Sequence, residues 1–98
     1  ENNIHVKYLG KGLLIMIDYV ELDNIPVTSN NLINILWDRN CEMTLAELTA
    51  ATNSEFSTQW SKQEIKQFLG LLVQMEYVQT RRQGFKLYYS ALGYGEEL

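Results

Sequence analysis

The chain has 98 residues, of which 46% are hydrophobic and 11% aromatic, and it carries a formal net charge of −4. That length allows one domain, the composition excludes a disordered chain, and a core of this size buries roughly 60–70% of the surface an unfolded chain exposes. The longest strongly apolar run, residues 13–17, is too short to cross a bilayer or form a signal core. A lone Cys41 excludes an internal disulfide, so a soluble, cytoplasmic protein with no membrane partner is expected.

The first segment, IHVKYLGKGLLIMIDYVEL, is rich in Ile, Val and Tyr and is broken by Gly10-Lys11-Gly12. Two short strands joined by a glycine turn fit this pattern best. The apolar stretch 13–20 would also suit a buried helix, because an unbroken run does not separate the two. Asp23-Asn24-Ile25-Pro26 is turn chemistry. Ser29-Asn30-Asn31 then supplies a helix cap before Leu32, Ile33, Ile35, Leu36 and Trp37, and that helix should end near Arg39-Asn40.

Thr44-Leu45-Ala46-Glu47 is a capping box, in which hydroxyl and carboxylate each accept from the other residue's backbone N–H. It opens a short helix to about Ala51, followed by an eight-residue connector over residues 53–60. Ser61-Lys62-Gln63-Glu64 is a second capping box. It opens the longest helix, whose Ile65, Phe68, Leu69 and Leu72 follow the i, i+3, i+4, i+7 stripe of a buried face. This helix should end near Met75-Glu76, where Tyr77-Val78 begins a strand. Taking Gln83-Gly84 as the centre of a tight turn pairs the two final strands. Val78, Thr80, Arg82, Phe85, Leu87 and Tyr89 then share one face, and Gln79, Arg81, Lys86 and Tyr88 share the other.

A strand hairpin, three helices and a C-terminal β-hairpin make an α+β chain, with residues 1–26 as the hairpin and 29–93 as the core of a single domain, 1–98. Residues 29–93 resemble the winged-helix superfamily. The segment FLGLLVQMEYVQTRRQGFKLYYSALG is the most specific part, similar to the third helix, turn and wing of bacterial winged-helix regulators. Members usually close that helix with a glycine before an apolar pair, and here Glu76 stands in that place. The strand-rich start and EIKQFLGLLVQMEYV also resemble PqqD-like peptide-recognition domains, winged helices that take up a leader peptide as an added strand.

Catalysis is not expected. His5 has no Asp or Ser motif beside it, Cys41 has no CxxC partner, Gly10-Lys11-Gly12 is too short to cradle a phosphate, and the carboxylates are scattered. No cofactor or metal is implied. The charge distribution points elsewhere. Residues 1–60 hold three Lys or Arg against eight acids, whereas residues 61–90 hold five against two. Such asymmetry is a clue to partners.

On the winged-helix resemblance, the third helix would read a groove of double-stranded DNA and the wing would grip backbone, as in a transcriptional regulator, often a dimer. The expected contacts are Lys62, Gln63, Lys66 and Gln67 on the helix, where Gln pairs with adenine edges and Lys reaches guanine or phosphate. Arg81, Arg82 and Lys86 would serve at the wing. The competing reading is a protein- or peptide-interaction module that docks its partner along the N-terminal hairpin. Leu92-Gly93-Tyr94-Gly95 would begin a further element or a homodimer contact.

Overall fold

The computed structural model describes the backbone of residues 3–9 and 13–19 and the whole of residues 21–93. The Gly10-Lys11-Gly12 turn and the Tyr94-Gly95 contact lie outside these. Strands β1 (Asn3–Leu9) and β2 (Leu13–Tyr19) pair antiparallel from Asn3↔Tyr19 to Leu9↔Leu13. Next come α1 (Val27–Arg39), the two-residue strand β3 (Met43–Thr44), α2 (Leu45–Phe56), α3 (Lys62–Gln74), β4 (Val78–Gln83) and β5 (Lys86–Ala91). β3, β5 and β4 form a three-stranded antiparallel sheet in that order. The short strand between α1 and α2 therefore extends the expected sequence of hairpin, helices and hairpin. Leu32, Ile33 and Leu36 of α1, Leu48 of α2 and Ile65, Leu69 and Leu72 of α3 meet in the core without exposed surface. Val78, Tyr89 and Ala91 close it from the sheet.

Helix α1 begins two residues ahead of the Ser29-Asn30-Asn31 cap expected from sequence. Pro26 occupies the N-cap position, with its fixed φ of −56° and its carbonyl accepting from Asn30 N–H at 3.0 Å. The polar side chains inside the first turn are spent on tertiary ties instead. Ser29 Oγ donates to the Phe68 carbonyl at 2.9 Å, joining α1 to α3, and Asn30 Oδ1 accepts from Leu22 N–H at 2.8 Å. Both residues are buried, so these bonds satisfy groups that water does not reach.

Both capping boxes form, at Thr44 with Glu47 and at Ser61 with Glu64. Helix α2, however, does not stop near Ala51. It runs on to Phe56 and ends on Ser57 in the left-handed region, at φ 54°. The connector thus shrinks from the expected residues 53–60 to 57–61. Asn53 explains the extension. Its Oδ1 accepts from Trp60 N–H at 2.9 Å and from Thr58 Oγ1 at 2.8 Å, and its Nδ2 donates to the Trp60 carbonyl at 2.9 Å. A residue read as loop is a helical side chain that folds the loop back onto its own helix.

At the end of α3, Tyr77 N–H bonds to the Leu72 carbonyl at 2.9 Å and Glu76 N–H to the Val73 carbonyl at 3.0 Å. This nested pair is a Schellman motif, whose left-handed residue is usually glycine. Here it is Glu76, at φ 64°. A left-handed non-glycine residue costs about 1–2 kcal/mol, and glycine's greater unfolded-state freedom returns part of that. Glu76→Gly should therefore stabilise the fold by about 0.5–1 kcal/mol, raising the melting temperature by about 3–6 °C in a calorimetric scan. An unchanged or lower melting temperature would show that Glu76 is held there without strain.

The β4–β5 hairpin pairs Val78↔Ala91, Thr80↔Tyr89, Arg82↔Leu87 and Gln83↔Lys86. Its central turn residues are Gly84 and Phe85, not Gln83-Gly84, so the register is displaced by two from the expected one. Gly84 carries the positive φ, 62°, and Phe85 does not, the pattern of a type II′ turn with glycine first. A Gln83-Gly84 turn of the I′ kind would force Gln83 into the left-handed region. Because side chains alternate with period two, a two-residue shift leaves the faces intact. Phe85 leaves the expected core face for a fully exposed tip at 104% relative exposure, and Thr80 and Arg82 on that face are exposed as well.

Candidate nucleic-acid interface

The capping boxes and the hairpin register together fix where the late basic residues lie. Lys62 and Lys66, one turn apart on α3, line a cleft with Arg82 of β4 and Lys86 of β5, which reaches its rim although strand alternation puts Lys86 on the Arg81 face of the hairpin. Thr44, Leu45 and Ala46, the cap and first turn of α2, complete its rim, with Leu87 and the buried Tyr89 beneath. Its volume is about 550 Å³. Among the described residues, none of these four cations takes part in an ion pair. The nearby acids, Glu47 and Glu64, are engaged in the capping boxes and do not line the cleft. Glu47 accepts from Thr44 N–H at 2.8 Å and Glu64 from Ser61 N–H at 2.9 Å. The Ser61 bonds also hold the Glu64 carboxyl below the usual carboxylate range. The first amides of α2 add the positive end of a helix dipole to the same concavity.

Arg81, next to Arg82 in sequence, lies on the opposite face of the hairpin. Its Nε donates to Glu42 Oε2 at 2.7 Å and its Nη2 to Glu42 Oε1 at 2.9 Å, a bidentate pair, while Nη1 reaches Gln83 Oε1 at 2.9 Å. The guanidinium lies over the Tyr88 ring, 4.8 Å from its centroid. Hydrogen bonding to Arg81 is the main reason that the Glu42 carboxyl titrates below its ordinary value. Tyr88, which the sequence placed on the same face as Arg81, has this cation on its ring. Gln63 and Gln67 are exposed on α3, about 100° round the helix from Lys62 and Lys66. They flank the cleft without lining it.

Of the seven expected contact residues, the cleft therefore gathers Lys62, Lys66, Arg82 and Lys86, leaves Gln63 and Gln67 beside it, and excludes Arg81. Thr44, Leu45 and Ala46 were missing from the sequence reading of the site. The Thr44 capping box was visible, but nothing in a linear string places it beside β5. The pairing Thr44↔Tyr88, two residues from Lys86, does so. Among the described residues, no group of three or more His, Cys, Asp or Glu is arranged to hold a metal ion, and no helix is long and apolar enough to cross a membrane. No protein-family model matches the chain, and comparison with curated proteins returns no match.

Proposed function

We propose that this chain is a winged-helix DNA-binding domain, non-catalytic and regulatory, in which α3 enters a groove and the β4–β5 hairpin acts as the wing. One observation carries the reading: cations from three separate elements converge on a single cleft beside the exposed face of α3, and none of them is neutralised by a described neighbour. Uncompensated cations around a helix N-terminus are the arrangement that phosphate oxygens satisfy. The connector at residues 57–61 also supports it, being closer to the turn of a helix-turn-helix than an eight-residue loop. In this reading Lys62, Lys66, Arg82 and Lys86 hold backbone, while Gln63 and Gln67 face base edges. Arg81 has a different task, bracing the hairpin against Glu42.

The test is fluorescence anisotropy of a labelled random duplex across a salt series. Four phosphate contacts predict a log–log slope near −3.6, so that affinity falls ~10²-fold between 50 and 200 mM salt. No binding at 50 mM salt would overturn the proposal.

A further inference from the structure

The tip of the β4–β5 hairpin is made of Gly84 and Phe85. The turn uses Gly84 for its positive φ and asks nothing of its second central residue that a small polar side chain would not supply. Phe85 stands there fully exposed, unlike the partly buried Phe56 and Phe68, the latter packed edge-to-face on Trp60 at 5.1 Å. Folding therefore gains no burial from Phe85. Its location relates it to the cleft. Lys86, the next residue, lines the cleft, and Arg82 lies one pair behind the closing Gln83↔Lys86 pair. The ring is thus carried about one strand residue, ~3.3 Å, beyond the last cation.

We infer that Phe85 is an apolar wedge that enters the minor groove and unstacks a base step once the cleft has gripped the backbone. The inference rests on the DNA-binding reading above. An apolar side chain at the end of a cationic hairpin meets the two requirements of such a wedge: charge to bring the backbone close, and a flat hydrophobic ring that bases accept in place of a stacking neighbour. Flexible pyrimidine–purine steps open at the lowest cost, so A·T-rich duplexes with a central TA step are the expected preference.

The experiment uses that duplex with 2-aminopurine at the TA step, and compares the native protein with Phe85→Ala and Phe85→Trp. The native protein should raise 2-aminopurine emission, and Phe85→Trp should retain the rise. Phe85→Ala should abolish it and weaken binding about tenfold, the scale of one stacking contact, with the salt slope unchanged. Salt-steep binding in which Phe85→Ala matches the native protein would overturn the wedge while leaving the DNA reading intact. No duplex binding by the native protein would overturn both. If Phe85→Ala instead lost binding only to anionic phospholipid vesicles, the tip would be a membrane contact and the wedge would fall.

Discussion

Arg82→Glu should weaken binding to a random duplex roughly 60-fold at 0.1 M salt, whereas Arg81→Glu should change it by less than about fivefold. The first figure follows from counterion release. Each phosphate contact contributes about 0.9 log units at that salt, and a reversal both removes one charge and adds an opposing one. Arg82 lines the cleft with Lys62, Lys66 and Lys86. Arg81 points the other way and is already neutralised by Glu42, so its replacement alters the duplex's surroundings only through long-range, screened interaction. Circular dichroism of both variants checks the fold, since Arg81→Glu places two carboxylates together at Glu42. Equal losses from the two substitutions would mean that net charge, not the cleft, governs association.

Asn53→Ala should cost about 2–4 kcal/mol, a large part of the 5–15 kcal/mol typical of a small domain. Three hydrogen bonds disappear together, and the N–H and carbonyl of Trp60 lose their partner in a partly buried setting. Leaving such groups unsatisfied costs more than the net worth of the bonds themselves. The orientation of the amide is fixed by both neighbours, since Trp60 presents one donor and one acceptor to it. In urea the midpoint should fall with an unchanged m-value. Asn53→Asp, which keeps the two acceptor contacts and loses the donor, should fall between. A loss below about 1 kcal/mol for Asn53→Ala would show that water replaces all three bonds.

That same residue marks the limit of what could be read without coordinates. The capping boxes were legible because each is a local exchange between residues three apart, and both helices begin where Thr44 and Ser61 indicate. The stripe of Ile65, Leu69 and Leu72 was legible for a similar reason. Helix ends governed by distant partners were not. Asn53 looks like loop chemistry until its clasp on Trp60 is known, and Ser29 and Asn30 look like caps until Phe68 and Leu22 claim them. The hairpin turn was recoverable in principle. Gly84-Phe85 satisfies a II′ turn with a single left-handed glycine, while Gln83-Gly84 needs a second residue strained. The alternation that separates Arg81 from Arg82 was also plain, but its consequence required Glu42, which lies 39 positions from Arg81 in the chain.

The order β3-β5-β4 places the last strand in sequence at the centre of the sheet. During synthesis, β3 and β4 both emerge with no strand to pair with, since each bonds only to β5 in the sheet. Met43 waits for Tyr89 while two helices and β4 are made, and the entropy of closing that long loop is met only when residues 86–91 arrive. The helices have local contacts and capping boxes to organise them early. The sheet does not, and the cleft it helps to form depends on it. A nascent chain stalled before Lys86 would therefore hold Lys62 and Lys66 on a formed helix, facing no hairpin. Until β5 is made, the two future edge strands are open to pairing with other chains.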